Sequence, residues 1–268
     1  PPSYDGQKAL PVVIILHGTG GTGTGIIDET GWGEKASKEG FLAVFPDGMR
    51  VNPAAPPSLL TNPQTWNDGS ARGSKLLPLV DDVKFLRLLV EDLSKKYVID
   101  RKSVFGTGFS SGASLLFRVA NEAPDLFAAI APVAGHYWPT PFKPPAEPVP
   151  TLLIVGTADP VNPMEGGTVR LPWGTFVQPP VINTIIGWAK RNGWQDELTY
   201  ANFSGGKCLE VTKGEQTWYR AYIVDGLGHM WPGGEAIFSA NFIGSDPKTL
   251  PATEVIWDFF AQVRSWRR

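Results

Sequence analysis

The sequence is poor in the residues that disulfides, metal sites and nucleic-acid surfaces require. One cysteine, Cys208, in 268 residues leaves no intrachain disulfide and no thiolate zinc cluster. Three histidines, His17, His136 and His229, stand too far apart for an HExxH-type metal motif. There is no excess of positive charge. Lys and Arg number 24 against 26 Asp and Glu, for a formal net charge of −2, so nothing is left over to neutralise phosphates. A nucleic-acid or anionic-lipid partner is therefore not expected. Long apolar runs are missing too: stretches such as 12–16 and 151–155 are far too short to cross a bilayer. Glycine and proline, 30 and 25 residues, stay below the level of low-complexity chains. What remains is a globular chain whose length suits one large α/β domain, expected here over residues 1–268.

Ten tryptophans are abundant for this length. Indole rings mostly fill cores but also suit binding clefts, because one edge is polar. Along the chain, short β-branched runs alternate with segments of helical period, the pattern of a mainly parallel sheet with helices on both faces. Strands are expected over 11–16, 41–45, 102–107, 126–133, 151–155 and 218–224. Helices are expected over 81–97, 111–121, 180–192 and 252–266. The helix over 81–97 is the clearest, with acids at its start and Lys95 and Lys96 at its end. Residues 46–80, rich in Pro, Asn and Ser, read as a long loop, and loops of that length usually serve a function.

Gly108-Phe-Ser110-Ser-Gly112 lies between a predicted strand and a predicted helix. A G-x-S-x-G sequence in that setting makes a sharp turn that lifts the serine hydroxyl clear of the sheet edge. The five residues alone are weak, since a glycine-rich turn would read the same way. A serine nucleophile needs a base, and the base needs an acid to orient it. In this architecture the chain order is Ser, then Asp or Glu, then His. His17 precedes the serine, and His136 follows too closely to leave room for a strand and an acid. That leaves His229, in Gly226-Leu-Gly-His-Met-Trp-Pro-Gly-Gly234. Asp159 is the leading acid, because Gly156-Thr-Ala-Asp159 leaves the carboxyl end of the buried strand 151–155, where catalytic groups of open parallel sheets gather. Asp196 and Asp225 stay open as alternatives.

His17-Gly-Thr-Gly-Gly-Thr-Gly-Thr-Gly25 follows the first strand and contains G-x-G-x-x-G, so a dinucleotide-binding oxidoreductase must be weighed, with Asp47 as its ribose acid. Two further glycines argue against a helix opening there, and Asp47 comes late for that role. Beside a nucleophile turn the loop has another use: the N–H of Thr19 or Gly20, with that of Ser111, would bind a developing oxyanion. A non-catalytic carbohydrate- or polymer-binding module using the tryptophans is a third reading. Trp66, Trp138 and Trp231, each on an expected loop, are candidates for a substrate cleft. His136 and Tyr137 are open on this point, while Trp188 and Trp257 fall within helices and read as core.

Taken together, Leu16-His-Gly18, Trp66-Asn67, Asp81-Asp82-Val83-x-Phe85, Gly108-x-Ser110-x-Gly112, Gly156-x-x-Asp159-Pro160 and Gly228-His229-x-Trp231-Pro-Gly-Gly234 resemble the polyhydroxybutyrate depolymerase and feruloyl esterase group, of the carbohydrate-esterase type. The resemblance runs from about residue 10 to 262. It implies an α/β-hydrolase fold and a serine carboxylic-ester hydrolase with Ser110, Asp159 and His229 as its triad. No cofactor and no metal are implied. The implied substrates are hydroxyalkanoate oligo- or polyesters or hydroxycinnamoyl esters. Acetyl xylan or short-chain carboxylic esters are the alternative, and a secreted or periplasmic location is implied. The chain departs from the group in two places. A strand pair usually precedes the Leu-His-Gly strand, which suggests a shortened edge or a trimmed chain, and Lys84 stands where glycine is usual. A polymer-binding module, common in secreted depolymerases, is not seen, which favours soluble or oligomeric esters.

Overall fold

In the computed structural model, which describes residues 1–171, 174–236 and 239–266, the chain opens with β1 (Leu10–Leu16), α1 (Gly23–Thr30), α2 (Trp32–Glu39) and β2 (Leu42–Val44). Next come β3 (Met49–Arg50), β4 (Gln64–Thr65), α3 (Ala71–Leu76), α4 (Asp82–Lys96), β5 (Ile99–Phe109) and α5 (Ser111–Glu122). The middle of the chain holds β6 (Ala129–Val133), β7 (Thr151–Gly156), β8 (Gly167–Leu171), β9 (Gly174–Gln178) and α6 (Val181–Arg191). Then follow β10 (Thr199–Phe203), β11 (Gly206–Lys213), β12 (Gln216–Val224), α7 (Ala240–Ile243) and α8 (Ala252–Trp266).

The alternation within β1 sets the architecture. Val12, Ile14 and Leu16 belong to one core cluster, Val13 and Ile15 to another, and all five are fully buried. A strand apolar on both faces belongs inside a covered sheet. The main sheet has eight strands in the order β10-β11-β12-β7-β6-β5-β1-β2. Pairing is parallel from β2 to β12 and antiparallel from β12 to β10. One face packs against α4, α5 and α6 through Leu86, Leu115, Val119 and Ile185. The other packs against α1, α2 and α8 through Ile26, Trp32, Phe259 and Phe260. This is the α/β-hydrolase fold, and no described strand precedes β1.

The sequence expectations hold for the buried strands and the long helices, and three features differ. The glycines after Thr22 do not break a helix: α1 forms because Thr22 Oγ1 accepts from the Gly25 N–H (2.9 Å) and Asp47 Oδ1 from the Gly23 N–H (2.8 Å), so its first turn is capped twice. Residues 199–213, not read as strands, extend the sheet by an antiparallel pair. The 46–80 segment is also structured: β3 pairs with β4, and the Asn62 side-chain amide donates to the carbonyls of Asn52, Ala55 and Pro56. No helix among the described residues is long and apolar enough to cross a membrane.

Candidate active site

β5 ends at Phe109 and α5 begins at Ser111, so Ser110 alone makes the turn, with φ 54° and ψ −116°. Such a conformation is strained for a residue with a Cβ and projects the hydroxyl off the sheet edge. Gly112 lets α5 start hard against β1, because a Cβ there would lie 2.5 Å from the Leu16 carbonyl oxygen and 2.7 Å from that of His17. Position 112 therefore needs the glycine this motif supplies, while Ser110 carries the strain of the turn.

The histidine arrives on the loop after β12. Gly228 N–H donates to the Ser245 carbonyl (2.8 Å) and His229 N–H to that of Ile243, so the segment around α7 pins the loop. The acid arrives on the loop after β7. Asp159 Oδ1 accepts from the N–H groups of Val161 and Asn162, both at 2.8 Å. That leaves Oδ2 for His229 Nδ1 at 2.8 Å. On the other side of the ring, His229 Nε2 lies 3.0 Å from Ser110 Oγ. An ionised carboxylate can only accept, so Nδ1 carries the proton and Nε2 is left to accept from the serine hydroxyl. The two loops are tied directly: Ala158 N–H donates to the Leu227 carbonyl (3.0 Å) and Gly226 N–H to Thr157 Oγ1 (2.9 Å). The ring packs on Phe109 with centroids 4.8 Å apart. Asp196 and Asp225, the other acids weighed, are exposed and away from this line.

The glycine-rich loop lies beside the serine, and a Cβ on Gly18 would sit 3.2 Å from Ser110 Cβ. Thr19 Oγ1 contacts Thr65 Oγ1 (2.8 Å) and donates to Ser111 Oγ (3.1 Å), so Thr19 and Ser111 stand side by side. Ser111 opens α5, and its N–H is a first-turn donor with no acceptor in the helix. Gly20 is not equivalent to Thr19, because its N–H donates to the Gln64 carbonyl at 2.7 Å. The dinucleotide reading fails on the same loop. Asp47, its ribose acid, instead places its carboxylate on the Gly23 N–H, at the helix start where a pyrophosphate would bind.

Two tryptophans expected in a substrate cleft are core residues. Trp66 is 0% exposed and its Nε1–H donates to the His17 carbonyl (2.8 Å). Trp231 is 1% exposed and its Nε1–H donates to Thr253 Oγ1 (2.9 Å). Each has found a partner for its polar edge inside the protein, so nothing draws it to the surface. Trp138 is half-buried beside the His136 ring, at 5.5 Å. Its indole N–H has no partner among the described residues. Tyr137 packs on Phe117 and Trp188, and His136 is buried with Nδ1 3.0 Å from Thr184 Oγ1.

The charges around the site follow from burial. Desolvation pushes His136 down to about 4, against smaller opposing pulls from Asp159 and Asn162. His17 is lowered by burial as well. Its neutral ring is fixed by two partners, because Nε2 accepts from the Gly48 N–H (2.9 Å) and Nδ1–H donates to the Gly18 carbonyl (2.7 Å). Sequence reasoning gave Gln64, Thr65 and Glu29 no part, and weighed His17 only to reject it as the base. Glu29 is 5% exposed, and desolvation raises its carboxyl to about 7, with His229 pulling it down. Nothing in the local sequence around Glu29 signals this, because its environment is assembled by the distant histidine loop.

By fold the molecule is an α/β-hydrolase, with a hydrogen-bonded serine, histidine and aspartate at the carboxyl ends of its strands. No protein-family model matches the chain. NocK of Nocardia uniformis subsp. tsuyamanensis, named as an esterase, is 28% identical over 270 residues, covering 94% of this chain and 74% of NocK. Feruloyl esterase B of Piromyces equi is 28% identical over 215 residues, 78% of this chain but 37% of that enzyme. The chain thus spans about three quarters of the one and little more than a third of the other. Among solved structures, acetyl xylan esterase from Aspergillus awamori superposes with a TM-score of 0.61 at 14% identity, covering 96% of this chain and 91% of that one. These two relatives carry esterase names, a kinship that supports carboxylic ester hydrolysis by this chain.

Proposed function

We propose that the chain is a serine carboxylic-ester hydrolase in which Ser110 is the nucleophile, His229 the general base and Asp159 the acid that orients it. The observation that carries this reading is the unbroken line from Ser110 Oγ to His229 Nε2 and from Nδ1 to Asp159 Oδ2, at 3.0 and 2.8 Å. As Ser110 Oγ attacks the ester carbonyl, His229 takes the hydroxyl proton and Asp159 stabilises the imidazolium. The N–H groups of Ser111 and Thr19 receive the oxyanion. Collapse of the tetrahedral intermediate expels the alcohol, which takes the proton from His229. Water then repeats the cycle on the acyl-enzyme and frees the acid.

The substrates we favour are hydroxyalkanoate oligo- or polyesters and hydroxycinnamoyl esters, with acetylated xylan or short-chain esters as the second choice. This preference rests on the sequence resemblance. Trp138 is the cleft residue retained, and residues 1–268 act as one catalytic domain, because α8 from the chain end covers the same sheet face as α1 and α2. Secretion or periplasmic placement rests on the same resemblance.

The test compares wild type with Ser110→Ala on p-nitrophenyl butyrate, both checked for folding by circular dichroism. The variant is expected to lose roughly 10⁴-fold or more in kcat, as in other enzymes whose triad acts as a unit. Equal turnover by both would remove Ser110 from the nucleophile role. Methyl ferulate, 3-hydroxybutyrate oligomers and acetylated xylan, assayed side by side, then rank the substrate classes.

A further inference from the structure

The acid of the triad is held from behind by a side chain that the mechanism leaves out. Asp159 Oδ1 accepts from the N–H groups of Val161 and Asn162, each at 2.8 Å, which is what leaves Oδ2 free for His229. The second of those residues is itself pinned. Asn162 is 7% exposed; its Nδ2 donates to the Ala134 carbonyl at 2.6 Å, and its Oδ1 accepts from Gln178 Nε2 at 2.9 Å. The sense of the amide follows from its partners. Gln178 Nε2 also donates to the Val161 carbonyl (3.3 Å), so that atom is a nitrogen and the Asn162 atom facing it is the oxygen. The Asn162 nitrogen is then the one that faces Ala134.

Ala134 gives that bond its importance. It follows β6 directly, and with φ 53° it lies in the left-handed region, strained for a residue with a Cβ. Its N–H donates to the Ile154 carbonyl of β7 (2.9 Å) and its carbonyl accepts from Asn162, so both of its polar groups are tied to the strand and loop that carry the acid. Its neighbours on either side seat the nucleophile. The Val133 carbonyl accepts from the Ser110 N–H at 2.9 Å, and a Cβ on Gly135 would lie 2.9 Å from the Ser110 carbonyl oxygen. Asn162 therefore reaches the Asp159 carboxylate with its backbone N–H and the seat of the Ser110 turn with its side chain. Acid and nucleophile are joined once through His229 and a second time through Asn162, along a line that passes no proton.

We infer that Asn162 is a positioning residue for ester hydrolysis: its side-chain amide holds the Asp159 carboxylate in register with Ser110, so that the His229 ring between them meets both. This rests on the triad reading above. Asparagine suits the place because one short, uncharged side chain must offer a donor to Ala134 and an acceptor to Gln178. A carboxylate there would turn an acceptor on the Ala134 carbonyl and bury a second charge beside Asp159. Without the amide, the N–H groups of positions 161 and 162 are still present, but the loop that bears them is no longer anchored to the end of β6. Asp159 then loses orientation rather than hydrogen bonds. Misplacement of a group that acts through the base slows the chemical step and leaves substrate binding alone, so the effect falls on kcat.

The experiment measures kcat and KM on p-nitrophenyl butyrate for wild type, Asn162→Ala, Asp159→Ala and the double variant, each checked for folding by circular dichroism. Asn162→Ala should lower kcat by about tenfold to a hundredfold with KM unchanged. In the Asp159→Ala background no carboxylate is left to orient, so the same substitution should change kcat by less than about twofold. A merely structural role would cost the same factor in both backgrounds. Equal losses, or a change confined to KM, would therefore overturn the proposal. Should Asn162→Ala not fold, Gln178→Leu runs through the same cycle, since it removes only the outer hydrogen bonds from the half-buried end of β9. A few-fold loss of kcat that vanishes without Asp159 supports the inference; no loss, or the same loss in both backgrounds, overturns it. If Asp159→Ala loses activity while Asn162→Ala tracks wild type, only the role of Asn162 falls. If Asp159→Ala keeps full turnover, the triad reading falls and takes this inference with it.

Discussion

Trp66 supports the site from beneath. Its indole N–H holds the carbonyl of His17 from 49 positions away, and the rings of the two residues lie 5.0 Å apart. His17 in turn fixes the glycine-rich loop through Gly18 and the turn at Gly48. Trp66→Phe would keep a ring in the space but leave a buried carbonyl without its donor. Urea denaturation should show a loss of about 1–3 kcal/mol, and kcat should fall more than KM rises, since the loop next to Ser110 loses its anchor. A variant as stable as wild type would show that the bond contributes nothing. Residues such as these mark what the sequence can and cannot reveal. Ser110, Asp159 and His229 were nameable because each follows a buried strand, and chain order in this architecture leaves few choices. The tryptophans were not, because an indole suits a cleft and a core equally until its partner is known. Those partners, His17 and Thr253, are remote in sequence from Trp66 and Trp231.

The element that most affects the site is α1, a helix of eight residues containing three of the glycines and threonines that the sequence reading took for a loop. Local propensity does argue against it, since glycine in a helix interior is unfavourable by about 1 kcal/mol. The outcome is reversed by two caps, one local (Thr22) and one from the turn after β2 (Asp47). A burial contact also contributes: a Cβ on Gly23 would lie 2.2 Å from the Phe45 carbonyl oxygen, so only glycine lets the helix dock there. Thr22→Ala removes the local cap and should lower stability by about 1 kcal/mol, read as a shift of the urea midpoint without change in slope. Activity at neutral pH should hold, because Asp47 still anchors the first turn beside the glycine-rich loop. The antiparallel pair β10–β11 escaped notice for a different reason. β10 is half-buried or exposed throughout, and β11 buries only Cys208, Leu209 and Val211, so the pair lacks the continuous apolar run that betrayed the central strands.

At the scale of the whole molecule, two buried ionisable groups pull stability in opposite directions with pH. His136 is held at about 4 by burial, against 6.5 when unfolded. Above pH 6.5 neither state is protonated there and its contribution is intact. As pH falls from 6.5 to 4 the unfolded chain takes up a proton that the native state refuses, and stability drops. Glu29 behaves inversely, at about 7 in the native state against 4.5 when unfolded. Below pH 4.5 its contribution is intact, and as pH rises to 7 the unfolded chain sheds a proton that the native state keeps, so stability again drops. Each shift corresponds to about 3 kcal/mol. Between pH 4.5 and 6.5 the two slopes offset each other, and wild-type stability should vary less with pH than either group alone would dictate. Glu29→Gln removes one side of that balance. Its stability should match wild type near pH 4.5, gain on it steadily, and exceed it by up to about 3 kcal/mol at pH 8, measured as urea midpoints across the range. Equal stability of the two proteins from pH 4.5 to 8 would mean that the Glu29 carboxyl is already solvated or paired in solution.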